Sequence, residues 1–501
     1  MQAKIKTSVV VNLIKTITLT VFSFLTFPWV CRILGDAQLG VYSWCVSFVY
    51  YFLILARISI PNIAVRECVK VKDDKEKLST KIQEFFILQA IMTLLSFVLL
   101  AVITLTVPVF RSNENYIPLI FILSINFLSG VFSFEWVYEA LERHVYLAIR
   151  SIVISAIIDI LIFVFVLYPS HIETYATINI SLTVLTVLSN LIYLPKIVKI
   201  KKTEKYNFKQ YIPTLATLFV ISFLVALYDK TDTFILGLID PSKVAVGNYA
   251  VGMKAVEIII GIVTALGTVF MPRAVKYYKD NEEDKYANLN KYSVNICLII
   301  VIPAIATLIG LSKPVTSLIS GNYIPDSHGN YHYLTASSVL IALSSLMLTF
   351  SLCHIIYTQI LIPMKKEKYF MIAMAGGFAL NVGGSLAFGL SLFRSSPALG
   401  VALATSIVDL IILITLIIIT RKYSVKMLFN LNSLKIVILG VVIGIITYFI
   451  SPLLVKALEP KVGIEFAYIL DLGIMLVGDA IIYIGGLLLT KEKLTRSIIK
   501  R

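Results

Sequence analysis

Four basic side chains, Lys15, Arg57, Lys230 and Lys254, stand inside long apolar runs, and a fifth, Arg32, stands where the first run ends. A charge placed in hydrocarbon costs at least about 2.5–3.5 kcal/mol on insertion scales, so each buried ion is a functional candidate by default. A phosphate or diphosphate leaving water needs such partners, because guanidinium and ammonium donors replace lost hydration with charge-assisted hydrogen bonds. Anion binding within a membrane is therefore the chemistry these residues suit. Each also has a structural alternative. Lys15 and Arg57 lie toward helix ends and could snorkel to the interface. Lys254 has Glu257 three residues on as an ordinary helix pair. Lys230, between Asp229 and Asp232, reads first as part of a local ion-pair cluster.

The acidic residues at depth are Asp159, Asp229, Asp232, Asp409, Asp471 and Asp479. A carrier coupled to H+ or Na+ needs a carboxylate whose occupancy changes during the cycle, and Asp229 or Asp232 is the expected choice. Glu135 and Glu139 either repel misplaced anions or cap a turn, the turn being favoured. His328 and His332 flank Gly329-Asn330-Tyr331 without a supporting Asp, Glu or Cys, so a solvated loop is expected there and no metal or other cofactor. Cys31, Cys45, Cys68, Cys297 and Cys353 are scattered, odd in number and without metal spacing, and read as inert core residues.

These residues are positioned by a chain of 501 residues, 58% hydrophobic and 15% charged, with a mean hydropathy of +0.89. That composition excludes a soluble globular protein, a disordered chain and an outer-membrane barrel. At roughly 20 apolar residues per crossing, the runs between charged breaks give fourteen spans, near 8–30, 40–65, 82–107, 115–140, 145–168, 172–195, 211–238, 244–271, 288–311, 333–358, 367–390, 396–420, 433–455 and 464–490. Met1 to Lys6 followed by apolar residues resembles a signal sequence, but no small-residue cleavage site follows, so a retained first helix is expected. Pro28, Pro61, Pro303 and Pro363 interrupt or end helices, Pro28 and Pro61 being candidate joints.

With both ends cytoplasmic, inner segments hold 33 Lys and Arg and outer loops hold seven: Arg32, Arg111, Lys243, Lys313, Arg394, Lys456 and Lys461. This is the asymmetry of the positive-inside rule, and it accounts for the net charge of +15 without nucleic acid as a partner. No outer loop exceeds about 20 residues, so none carries a domain able to house an enzyme site. Ile33-Leu34-Gly35 with Gly40-Val41-Tyr42 recurs as Ile235-Leu236-Gly237 with Gly247-Asn248-Tyr249. Tyr138-Glu139-Ala140-Leu141 with Glu142 and Tyr146 is echoed by Tyr357-Thr358-Gln359-Ile360-Leu361 with Glu367 and Tyr369. The copies are six spans apart, which implies two parallel repeats with a central site and leaves spans 13 and 14 outside.

Thr26-Phe27-Pro28-Trp29-Val30-Cys31-Arg32-Ile33-Leu34-Gly35 with Gly40-Val41-Tyr42 resembles the start of bacterial polysaccharide (Wzx-type) flippases of the MOP superfamily. Trp136 to Arg143 with Tyr146, Asp229 to Gly237 with Gly247 and Tyr249, and Gln359 to Pro363 with Lys366 to Tyr369 resemble the family's 4/5 turn, 7/8 hairpin and 10/11 turn. The resemblance implies an all-α integral membrane protein: two pseudo-symmetric six-helix lobes in a V (1–202 and 203–425), plus two C-terminal helices with a basic tail (426–501). It further implies alternating access and an anionic cargo, an undecaprenyl diphosphate-linked oligosaccharide. In relatives the cargo is a peptidoglycan precursor or teichoic acid chain. Lys15, Arg57 and Lys254 would then line the cavity and Arg32 its outer rim.

A non-enzyme flippase of the bacterial cytoplasmic membrane is the expected function. Its expected partners are the lipid-linked glycan, membrane lipids, a coupling H+ or Na+, and a polymerase and glycosyltransferases. A cation-coupled multidrug antiporter is the alternative, disfavoured by fourteen spans and by Lys15 in helix 1. An integral-membrane enzyme is the remaining rival.

Overall fold

The computed structural model describes residues 2–57, 59–198, 206–323, 325, 329, 331–428 and 430–490. Met1, Lys202, His328, Asn330 and Arg501 lie outside the described residues. All regular structure among the described residues is helical. Thirteen segments are long and apolar enough to cross a membrane, the first being Ile14–Lys70, 57 residues long. A helix of that length would measure about 85 Å at 1.5 Å per residue, against a hydrocarbon core of about 30 Å. It is a double crossing. Gly35, at φ 71° and ψ 174°, breaks the helix Gln2–Arg57, a backbone conformation that favours glycine. Counting both halves, the described residues hold fourteen spans, and the chain is a multi-pass membrane protein.

The remaining spans are Lys75–Thr106, Tyr116–Ala140, His144–Phe165, Pro169–Ile197, Ile212–Ile239, Val244–Lys279, Glu283–Gly310, Ala336–Leu361, Glu367–Leu392, Pro397–Ile419, Leu431–Val462 and Ile464–Leu489. They are numbered here as spans 3 to 14. Their outward side chains, such as Ile91, Leu94, Leu95, Val98 and Val102 on span 3, are apolar and exposed, as a lipid-facing surface requires. Pro28 sits within continuous helix and the chain reverses seven residues later, at Gly35. Pro61 falls in the first turn of the helix Ile60–Lys70, where a missing N–H costs nothing. The bend expected at Pro61 is instead made at Ser59, in the left-handed region at φ 55°.

The chain divides into two compact units, Met1–Lys230 and Thr231–Arg501, and the division falls inside span 7. In the first, spans 1 and 2 pack on spans 3 and 5, and span 4 on span 6. Its core gathers Ile60, Phe85, Trp136, Tyr138, Leu147, Leu194 and Tyr211. In the second, span 8 packs on span 10, span 11 on span 12, and span 13 on spans 9 and 14. Lipid tails are as apolar as Leu, so close van der Waals packing of small residues drives such contacts. A Cβ on Gly252 of span 8 would stand 2.8 Å from Val339 of span 10, so these backbones meet closely.

The two turns that echo each other in sequence also share a backbone. After span 4, Arg143 N–H donates to the Tyr138 carbonyl and Glu142 N–H to that of Glu139, with Glu142 at φ 58°. After span 10, Lys366 donates to Leu361 and Lys365 to Ile362, with Lys365 at φ 56°. Both are Schellman closures, which satisfy the last helical carbonyls.

Candidate functional site

Unit 1 contains two helices broken at membrane depth. Span 2 breaks between Arg57 and Ile60, and span 4 consists of Tyr116–Ser124, Phe127–Phe132 and Glu135–Ala140. Irregular backbone at this depth persists only where protein or a water-filled cavity satisfies it. Gln89 of span 3 donates from Nε2 to the Ala56 carbonyl at 2.6 Å, and Ser59 shares a 2.7 Å hydrogen bond with Ser222 of span 7. Gly130 makes room for Gln89, whose amide nitrogen lies 3.0 Å from where a Cβ would stand.

Arg57 projects from the break in span 2. Its Nη2 donates to Ser129 Oγ at 2.8 Å, and Ser129 Oγ donates to the Asn126 carbonyl at 2.7 Å. Asn126 Oδ1 in turn accepts from Thr183 of span 6 at 2.7 Å. The guanidinium is thus tied to one break while issuing from another, and it remains exposed to a partner. Glu135 and Tyr50 act on it through space. Lys15, half-buried on span 1, lies within electrostatic reach of Glu139. Lys230 pairs with Asp229 at 3.0 Å and lies over the Tyr50 ring at 5.5 Å. Unit 1 therefore brings together Lys15, Arg57, Lys230, Asp229, Glu135 and Glu139, three of each sign. Arg32 is exposed at the end of the first half of Gln2–Arg57.

Lys254 belongs to unit 2, half-buried on span 8, with Glu257 exposed a turn further on. The ion-pair cluster expected around Lys230 forms with Asp229, whereas Asp232 is buried and accepts from Tyr249 Oη at 2.6 Å. Asp229 and Asp232 stand three positions apart on one helix, the first paired with Lys230 and the second with the Tyr249 phenol. Asp409, Asp471 and Asp479 behave as helix-to-helix acceptors. Asp471 takes Ser451 Oγ at 2.7 Å, Asp479 takes Thr307 at 2.8 Å and Thr447 at 2.8 and 2.9 Å, and Asp409 takes Thr349 at 3.5 Å. Asp159 faces Thr26 of span 1.

Two residues were not anticipated. Arg150, counted above among inner-segment charges, is 7% exposed inside unit 1. It donates to Glu135 at 2.6 Å and to Asn190 Oδ1 at 2.9 Å. This pairing makes Glu135 a structural carboxylate of spans 4, 5 and 6. The other is His354 of span 10, whose Nε2 is buried without a partner. The five cysteines are free and buried, and no cluster of three metal-ligating side chains occurs among the described residues.

Below the spans, Tyr206 to Tyr211 are held to span 3. Buried Glu84 accepts from the Tyr211 hydroxyl at 2.7 Å, from Asn207 N–H at 2.7 Å and from Lys81 at 2.9 Å. Burial and then the Glu84 carboxylate raise the Tyr211 phenol well above its ordinary range. The carboxyl of Asp74 caps span 3, accepting from Lys77 and Glu76 N–H at 3.1 Å, and the Lys77 backbone bond holds it below the usual carboxylate range.

Comparison with known proteins agrees with this architecture. The family described as "Polysaccharide biosynthesis protein" matches residues 5–278. A protein of Escherichia coli (strain K12) described as "Putative O-antigen transporter" is 22% identical over 361 residues, covering 70% of this chain and 82% of that protein. Among solved structures, "Lipid II flippase MurJ, inward closed conformation" superposes with a TM-score of 0.64 at 19% identity, covering 94% of this chain and 97% of the other. An inward-facing multidrug resistance MATE family transporter of the MOP superfamily gives 0.61 at 17% identity, covering 81% and 95%. The two structural likenesses show the fold, and the profile match spans more than half of the sequence. The chain belongs to the polysaccharide biosynthesis protein family, on the fold of MOP-superfamily transporters.

Proposed function

We propose that this protein is a flippase that carries a lipid-linked oligosaccharide, its head an undecaprenyl diphosphate, from the inner to the outer leaflet of the bacterial cytoplasmic membrane. Membership of the polysaccharide biosynthesis family carries the reading. Arg57 supports it chemically: an exposed guanidinium, tethered by Ser129 and issuing from a break in its helix, suits a phosphate oxygen. Lys15 and Lys254 would assist at other stages of an alternating-access cycle, and Arg32 would receive the head group at the outer rim. Asp229 or Asp232 would carry the coupling H+ or Na+. The sequence division into 1–202, 203–425 and 426–501, with both termini cytoplasmic, is part of this proposal.

Fourteen spans and a cationic helix break favour this cargo over the cationic drugs of multidrug antiporters. Teichoic acid and peptidoglycan precursors share the phosphate chemistry and differ in the saccharide. A glycosyltransferase set would supply the cargo and a polymerase would consume it, and the protein itself would make or break no covalent bond. Deleting the gene should cause lipid-linked repeat units to accumulate on the inner leaflet, with surface polymer restored by the wild-type chain. Unchanged surface polymer and no accumulation would overturn the proposal, as would purified protein that joins or cleaves lipid-linked sugars.

A further inference from the structure

His354 stands on span 10 one turn before the segment Tyr357–Leu361, which is wound as a π-helix. Such segments are rare and mark functional sites more often than chance. The ring lies against span 8 at Gly267, where a Cβ would stand 2.8 Å from Cδ2 and 3.1 Å from Nε2, so a larger residue there would have to displace the ring. The backbone of Thr264 on span 8 lies within reach of the ring, and Nε2 is buried without a partner, so a neutral ring that turns its N–H to Thr264 does so from Nδ1. The Thr358 hydroxyl is used elsewhere, donating to the His354 carbonyl at 2.8 Å. The one ring atom able to accept a proton is thus the one that nothing satisfies.

The surroundings fix what a proton there would do. Span 8 offers Thr264 and Gly267 at this level, with Glu257 and Arg273 the charged groups of the same helix on either side. Asp409 of span 12 acts on Cys353, Glu367 of span 11 acts on Tyr357, and Tyr286 of span 9 donates to the Gln359 carbonyl at 2.7 Å. An imidazolium in this contact would put a charge on a buried ring nitrogen that faces Gly267 and has no hydrogen-bond partner. Protonation therefore favours any arrangement in which the ring leaves Gly267, and a ligand that binds one of two arrangements better shifts the population toward it.

We propose that His354 Nε2 is a proton-binding site and that its occupancy loosens the packing of span 8 on span 10. The site is separate from Asp229 and Asp232, and the inference stands whatever the cargo is. The proton itself is the probe. Full-length protein would be placed in nanodiscs of phosphatidylethanolamine and phosphatidylglycerol. His144, His171, His328 and His332 would be replaced by Gln, leaving His354 the sole imidazole, labelled with 15N. Nitrogen resonances followed from pH 4.5 to 9 should show Nε2 passing from unprotonated to protonated. Over the same range, amide exchange of residues 258–272, corrected for intrinsic rate, should rise at least tenfold at low pH. In His354→Gln that rise should fall below twofold. A ring that stays neutral throughout overturns the site, and a ring that titrates while exchange of 258–272 stays within twofold overturns the coupling. Because the titration is read without the variant, misfolding of His354→Gln would not rescue the idea.

Discussion

Reversing the charge at Arg57 is the sharpest test of an anion-binding role. The guanidinium donates to Ser129 at 2.8 Å and is exposed. For a phosphate charge about 4 Å away, Coulomb attraction is about 1 kcal/mol in water and about 4 kcal/mol at an effective dielectric of 20. Arg57→Glu turns attraction into equal repulsion, a swing of roughly 2–8 kcal/mol. Exposure places the expected effect in the lower half, about 2–4 kcal/mol, or roughly 30- to 700-fold in binding. Ser129→Ala removes the tether to Arg57 and the local bond to the Asn126 carbonyl, the tether being about 1 kcal/mol, and should reduce export only about fivefold. The assay is surface polymer in deletion cells carrying each variant, normalised to membrane protein level. Lys254→Glu should also abolish export, whereas Lys15→Glu should be milder if Lys15 snorkels. The double swap Lys254→Glu with Glu257→Lys separates folding from cargo contact at that position. Should Arg57→Glu and Lys254→Glu both reach the membrane at normal levels and export normally, the cationic mechanism is wrong.

Other expectations follow from the same geometry. Arg150→Ala removes the buried guanidinium that joins half-exposed Glu135 to Asn190 and should cost about 1–3 kcal/mol, seen as less membrane protein where Arg57→Glu keeps it. Reporters fused after Lys202, Lys285 and Arg501 should read cytoplasmic and those within residues 312–331 external, one inversion being enough to discard the orientation. Collapsing an inside-negative potential should slow flipping in oriented vesicles, since outward movement of each net negative charge gains about 2.3 kcal/mol per 100 mV; an unchanged rate would indicate an electroneutral cycle. The Asp74 cap, its folded pKa depressed, stabilises the start of span 3 above the unfolded value of about 3.9 and loses that contribution as pH falls through the lower folded value. Exchange protection of residues 75–79 should therefore drop in acid, and Asp74→Ala should remove the pH dependence.

Hydropathy and charge asymmetry were enough to count the spans, because a bilayer demands about 20 apolar residues at each crossing and tolerates little else. The reversal at Gly35 was legible for a similar reason, glycine being the residue that a left-handed break favours. The breaks at Ser59 and Phe134 were not: both carry positive φ on residues that seldom adopt it, held by contacts from other helices. Arg150 was misplaced because a cation six residues into a span looks like an interface charge until Glu135 and Asn190 fold around it. The pairing of Asp232 with Tyr249 was hidden likewise, since sequence proximity favoured Lys230. His354 has no signal of its own in the sequence, and its interest comes from Gly267, 87 positions away.

The carboxylates of span 14 bear on how the chain is made. Asp471 and Asp479 would each cost about 2.5–3.5 kcal/mol if the last helix entered the bilayer alone. Their hydroxyl partners, Thr307 on span 9 and Thr447 and Ser451 on span 13, all precede them in the sequence. A ribosome delivering span 14 therefore finds acceptors' donors already threaded, and the order of synthesis itself lowers the barrier to insertion. A rearranged gene that emits span 14 before span 9 would encode the same contacts and lose that help.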